Sequence, residues 1–175
     1  IVHEAEEVRR KIGFLTSELK LEDFFTPNEL FRFFGELHHL NKERIEARRK
    51  ELFDRFGIAD FAEVKVANLS TGMKQKLSIV ISILHDPEII IFDEPTNGLD
   101  VLTAKTVTDF LLELRSQGKT VILSTHIFSL VEKLCDRVGI IFNGKMIVCE
   151  TLQKLTQEKN LEEVFFEIYE KEAGE

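Results

Sequence analysis

The sequence has only two cysteines, Cys135 and Cys149, and they fall in no metal-ligand spacing. No disulfide framework or cysteine-ligated zinc site is therefore expected, and both read as inert thiols. Long apolar runs are also missing: the longest stretches are too short to span a bilayer. The opening residues do not read as a signal peptide. Basic charge is in deficit, with 23 Lys and Arg against 31 Asp and Glu, a formal charge of −8. A sequence-independent nucleic-acid binder would present a basic face, so no nucleic-acid partner is expected. The local group Arg44, Arg48, Arg49 and Lys50 reads as a solvated helix face. Internal repeats and low-complexity segments are absent.

What is present suits one globular domain with a real core: 175 residues, 43% hydrophobic and 31% charged. A charged helical run over residues 4–11 leads into Ile12-Gly13-Phe14-Leu15, a short apolar strand. Thr26-Pro27-Asn28-Glu29 is a helix start, with a Thr cap, Pro at the first position and Glu closing a capping box. A second helix is expected from about Lys42 to Phe56, stopped by Gly57. Ser70 can cap a helix with Met73, Leu77, Val80, Ile81 and Leu84 on one side. Asp86-Pro87 ends it. Residues 88–92 and 120–124 read as parallel strands buried on both faces, joined by a helix capped by Asp100. Asn143-Gly144 predicts a hairpin between residues 138–142 and 145–149. Residues 151–172 look helical and amphipathic. Strand, helix, strand, helix, strand in this order predicts an α/β fold, a mostly parallel sheet with crossover helices, interrupted by a helical subdomain. The expected divisions are residues 1–20, a helical subdomain over 21–68, a core over 69–150 and a C-terminal helix over 151–175.

Three groups of residues carry chemistry. Asp93 and Glu94 sit where a buried strand ends, the edge at which open α/β sheets bind ligands. Asp93 can hold Mg²⁺ directly or through water, and Glu94 can polarise a water for attack on a terminal phosphate. Ser70-Thr71-Gly72 opens a helix whose free amides and positive dipole end favour a phosphate, with Gly72 allowing close backbone approach. His126 follows the second buried strand, where an imidazole can donate to a phosphate oxygen or to water. His3, His38, His39 and His85 read as structural.

In order and spacing these residues resemble the ATP-binding-cassette (ABC) ATPase family, over nearly the whole chain. Leu69 to Met73 resembles the family signature L-S-G-G-Q, Ile90 to Glu94 its Walker B strand, Asn97 to Asp100 its D-loop, and His126 its switch histidine. The resemblance implies a P-loop NTPase-type fold and an ATP-hydrolysing subunit that drives a separate membrane permease, as in prokaryotic exporters. It implies ATP and Mg²⁺ as cofactors, Glu94 and His126 as catalytic residues, and Ser70, Thr71, Gly72 and Asp100 as nucleotide contacts. Asp93 and, by register, Ser17 in place of the Q-loop glutamine would serve the metal. The implied partners are the permease and a second ABC ATPase in a head-to-tail homo- or heterodimer. The implied location is cytoplasmic, on the inner face of the membrane. Within the patch Phe24, Phe25, Phe31, Phe33 and Phe34 most rings are expected in the core, with one or two left to meet the permease.

The sequence departs from the family at Thr71, Met73 and the Q-loop position, and it contains no G-x-x-x-x-G-K-[ST]. The expectation is that the family's first strands and Walker A loop lie upstream of Ile1, and that these residues alone are incomplete and inactive. The alternatives are a non-catalytic partner that lends its signature to another ATPase, and a soluble ABC-family ATPase not tied to transport.

Overall fold

The computed structural model describes residues 4–16 and 21–173. It divides into two units, with the boundary between Ser124 and Thr125.

In the first unit, α1 (Ala5–Lys11) runs into β1 (Ile12–Leu15). Next come α2 (Pro27–Leu37), α3 (Lys42–Phe56) and two short 3-10 turns, Ala59–Phe61 and Val66–Asn68. The unit closes with α4 (Thr71–Ile83), β2 (Ile89–Asp93), α5 (Val101–Ser116) and β3 (Thr120–Ser124). The strands form a parallel sheet in the order β1-β2-β3.

The helical pair α2–α3 forms for local reasons that the sequence states. Thr26 Oγ1 accepts from the Glu29 amide at 3.3 Å and Glu29 Oε2 accepts from the Thr26 amide at 2.8 Å, the reciprocal capping box. Asn41 Oδ1 caps α3 by accepting from the Arg44 amide at 2.9 Å, and Gly57 ends that helix with φ at 62°. Gly35 admits Ile45: a Cβ there would stand 2.7 Å from Ile45 Cγ1. Phe31 and Phe53 meet edge to face in the core of the pair, 5.3 Å apart and almost wholly buried. Each such ring contributes about 1.5–3 kcal/mol by leaving water.

Within the basic group on α3, Arg44 and Lys50 are exposed as expected, but Arg48 and Arg49 are structural. Arg48 donates to the carbonyls of Ile83 at 3.0 Å and Leu84 at 3.3 Å, satisfying the C-terminal end of α4. Arg49 bonds Glu46 and Asn28. Arg55 pairs with Glu113 and lies over the Phe110 ring.

The sheet corrects one expectation. Gly13, Ile90 and Val121 share a row, as do Leu15, Phe92 and Leu123, and these rows are buried on β1 and β2 and half-buried on β3. A Cβ on Gly13 would lie 2.5 Å from the Ser82 carbonyl oxygen, which places α4 on this face. The alternate row runs through Phe14, Ile91 and Ile122, and Phe14 and Ile122 remain 60% and 52% exposed. The apolar runs therefore have one well-covered face rather than two. Conversely, α4 buries more than one side: Gln75, Leu77, Ser78, Ile79, Val80 and Ile83 are all buried.

Two histidines join these layers. The rings of His38, after α2, and His85, after α4, stack at 3.8 Å with 6° between their planes. His85 Nε2 lies 3.1 Å from the Ile12 carbonyl oxygen. A carbonyl only accepts, so Nε2 carries the hydrogen, and the buried Nδ1 has no partner among the described residues. Burial, helped by neighbouring His38, lowers the His85 pKa to about 4, against the pull of the Ile12 carbonyl and Asp86. The unfolded chain binds this proton near the ordinary value of 6.5. The stabilising contribution is thus complete above that pH and is lost as pH falls through the window from 6.5 toward 4. Lowering the pH across that window should cost about 1–2 kcal/mol, discounted for partial exposure. That is on the order of 5 °C in Tm. His85→Gln, which can still donate to Ile12 but cannot titrate, should flatten this part of the profile in a pH series of thermal melts.

The second unit contains α6 (Phe128–Leu134), β4 (Arg137–Phe142), β5 (Lys145–Thr151), α7 (Leu152–Leu155) and α8 (Leu161–Ala173). β4 and β5 pair antiparallel through Asn143 and Gly144, whose φ values of 47° and 75° are those of the expected tight hairpin. Phe128 packs on Phe165 and Phe142 on Tyr169. The single helix expected over 151–172 is two. Thr151 still belongs to β5 and its side chain caps α7. Asn160 and Glu163 then form a second reciprocal cap that starts α8 afresh.

No described helix is long and apolar enough to cross a membrane.

Candidate functional site

β2 ends at Asp93, which lies in register with Ser124 of β3. The next residue, Glu94, takes a left-handed backbone with φ at 48°. That conformation costs a residue with a side chain about 1–2 kcal/mol, so the fold must hold it. The Glu94 amide donates to the Ser124 carbonyl at 2.9 Å, and the Glu94 carbonyl accepts from the Asn97 amide at 3.1 Å. The turn thereby swings Glu94 out of the strand line, directly after Asp93. Both carboxylate residues are half-buried. Pro95 and Thr96 are buried within the turn, and Thr96 Oγ1 has no hydrogen-bond partner among the described residues.

Ser70, Thr71 and Gly72 form the start of α4. Ser70 Oγ accepts from the Met73 amide at 3.3 Å, an ordinary cap on one of the first-turn amides, which a helix leaves without partners of its own. The motif lies against the loop after Glu94. A Cβ on Gly72 would be 3.8 Å from Leu99 Cδ2, and one on Gly98 would be 3.9 Å from Thr71 Cγ2. Gln75, only 5% exposed, donates from Nε2 to the Pro95 carbonyl at 3.2 Å.

Asp100 caps α5. Its Oδ1 accepts from the amides of Leu102 and Thr103, each at 3.0 Å, and its Oδ2 from the Thr103 hydroxyl at 2.6 Å. The Thr103 hydroxyl, with the amide bonds, holds this carboxyl below its ordinary pKa.

The structure therefore sets Thr71 and Gly72 beside Gly98 and Leu99, in the loop that follows the Asp93–Glu94 turn and leads to Asp100. His126 belongs to the second unit, exposed in the bend before α6, two residues past β3. Ser17 lies outside the described residues. No group of three or more His, Cys, Asp or Glu able to hold a metal occurs among the described residues. A divalent cation here would have to take most of its ligands from phosphate and water, with Asp93 as the protein oxygen, which is how Mg²⁺ commonly binds. Two features go beyond what the sequence pattern suggests: the left-handed Glu94 and the buried Gln75. The second carries no local signal: Lys74 and Lys76 on either side of it are only half-buried, and the packing of α4 alone singles out Gln75.

Comparison with known proteins identifies the family and the fold. The family described as ABC transporter matches residues 2–97. The ABC transporter ATP-binding protein NatA of Bacillus subtilis (strain 168) is 38% identical over 164 residues, 93% of this chain and 67% of that one. The daunorubicin resistance ATP-binding protein DrrA3 of Streptomyces coeruleorubidus is 33% identical over 175 residues, 100% of this chain and 55% of that one. The chain thus spans about half to two thirds of the length of these curated relatives. A solved structure of the ATP binding subunit of an ABC transporter superposes with a TM-score of 0.89 at 28% identity, covering 96% of this chain and 72% of that one.

Proposed function

This chain belongs to the ABC transporter family, in its ATP-binding part, and on that premise we propose that it hydrolyses ATP to drive a separate membrane permease. The observation that carries the proposal is the Glu94 turn. A carboxylate residue in a strained turn at the carboxyl end of a parallel strand, straight after Asp93, supports this reading, because that edge is where such sheets bind ligands. Glu94 accepts a hydrogen bond from water and takes its proton as the water oxygen bonds to the terminal phosphorus. The bond to the bridging oxygen breaks, giving ADP and phosphate. Asp93 would hold Mg²⁺, which supplies charge neutralisation at the phosphates when bound.

The first-turn amides at Ser70, Thr71 and Gly72 would bind the terminal phosphate of a nucleotide held by a second ATPase subunit. Asp100, through its cap on α5, holds the adjoining loop in shape. By its place in the sequence His126 would donate to the terminal phosphate of the nucleotide on its own subunit. In this reading the grip on the β- and γ-phosphates comes from sequence other than these 175 residues, which contain no G-x-x-x-x-G-K-[ST].

Phe24 and Phe33, 63% and 53% exposed on the helical subdomain, are the rings best placed to receive a permease loop. Phe31 is fully buried and is core. The protein as the cell makes it should hydrolyse MgATP and co-sediment with membranes carrying its permease rather than with ribosomes. Replacing Phe24 and Phe33 together with Ser should lower membrane recovery by about tenfold, roughly 1.4 kcal/mol of binding. Tm should stay within a few degrees of wild type. Recovery with ribosomes instead would favour a soluble ABC ATPase and end the transport assignment.

A further inference from the structure

The left-handed Glu94 is held by hydrogen bonds of different origin. Glu94 N–H to Ser124 belongs to the sheet, and Asn97 N–H to the Glu94 carbonyl belongs to the turn itself. The bond from Gln75 to the Pro95 carbonyl comes from another helix, the one whose first turn is the signature. Gln75 is 5% exposed, so a lost bond would leave a buried carbonyl and a buried amide without water to replace each other. The carbonyl it holds belongs to Pro95, directly after Glu94, so it fixes the central peptide of the Glu94–Asn97 turn. Near the same end of α4, Thr71 and Gly72 lie against Gly98 and Leu99. The first turn of α4 and the loop that follows the carboxylate-bearing turn thus lie side by side within one unit, and the Gln75–Pro95 hydrogen bond joins helix to turn.

We propose that Gln75 is a positioning residue that ties the signature turn to the Glu94 turn. Phosphate docking on the one then sets the backbone of the other. This rests on the function proposed above. There, Glu94 serves the nucleotide of its own subunit and Ser70–Gly72 serve the nucleotide held by the partner. A rigid link between them couples the two nucleotide sites of a dimer. Movement of α4 by a fraction of an ångström when phosphate binds at its N-terminus reaches the Pro95 carbonyl through one side chain. Positioning errors on this scale are enough to change rates by large factors.

Two variants test the link in the intact protein, alongside Glu94→Gln. Gln75→Met keeps length and volume and removes the donor. It should lower kcat about tenfold with KM for ATP within about twofold, and move the Hill coefficient for ATP toward one. Gln75→Glu presents an acceptor to an acceptor when ionised but a donor when protonated, and burial raises its pKa. Its kcat should be low near about pH 8 and climb toward wild type as pH falls to about 6, a recovery that neither wild type nor Gln75→Met shows.

Wild-type kcat and cooperativity in Gln75→Met would overturn the proposal. So would a Gln75→Glu profile parallel to wild type, or losses in kcat that track a lowered Tm in both variants at every pH. The Glu94→Gln control separates the two levels. If it loses turnover while the Gln75 variants behave as wild type, only the link fails. If it keeps turnover, the functional reading itself fails.

Discussion

Glu94→Gln is expected to lower steady-state ATP turnover by at least about a hundredfold, the range set by loss of a positioned general base. Affinity for ATP should stay within about threefold. The amide has the size and reach of the carboxylate and can still hold a water, but it cannot take the proton. The backbone gives no reason for collateral damage. Glu94 is in the left-handed region in the native protein, and Gln meets the same steric cost there as Glu. The backbone hydrogen bonds of Glu94, to the Ser124 carbonyl and from the Asn97 amide, and the bond from Gln75 to Pro95 do not depend on its side-chain carboxylate. Tm should therefore move by no more than a few degrees. A chain that only lent its signature to another ATPase would lose nothing with Glu94→Gln, so the same assay separates those two readings.

Gly72→Asp is expected to lower turnover by about a hundredfold while leaving the fold intact or slightly firmer. The space is there, since an added Cβ would make only ordinary contact with Leu99 at 3.8 Å. An acid in the first turn of a helix favours the helix dipole by about 0.3–1 kcal/mol. The same charge stands where the partner's terminal phosphate should dock, and it replaces an anion-binding amide cluster with a repulsive one. Stability and activity should thus move in opposite directions, which a merely disruptive mutation cannot produce. The two inactive variants should also rescue each other. In a dimer of one Glu94→Gln protomer and one Gly72→Asp protomer, one nucleotide site carries both defects and the other carries neither. Random mixing in equal amounts makes half the dimers mixed, so recovery of up to about a quarter of wild-type turnover is expected for head-to-tail shared sites. Mixtures no more active than the separate variants would count against shared sites.

Much of the fold and of the site is legible in the sequence, and for a physical reason. The caps at Thr26, Asn41, Ser70 and Asp100 act through side chains bonding amides two or three residues away, so sequence alone carries them. Asn143-Gly144 specifies its hairpin in the same local way. What escapes a sequence reading depends on distant partners. The one-sided covering of the sheet depends on where α4 lies, which no strand pattern reports. Glu94 is left-handed because Ser124 of a neighbouring strand holds its amide, thirty residues along the chain. Gln75 is buried because α4 packs on more than one side, and its partner Pro95 lies in a different element. The break before α8 differs, because its signal is local: Asn160 and Glu163 make the same reciprocal cap as Thr26 and Glu29, inside a run whose amphipathic pattern suggests one continuous helix.

The assignment of Glu94 is tested most directly by the nucleotide that the Glu94→Gln protein carries. The variant would be loaded with ATP and Mg²⁺, held for many wild-type turnover times and stripped of free nucleotide, and the bound nucleotide released and identified. Recovery of intact ATP is the expected result, because water stands at the terminal phosphate with no base to take its proton. Recovery of ADP in the amounts that wild type gives would show that another group performs the attack.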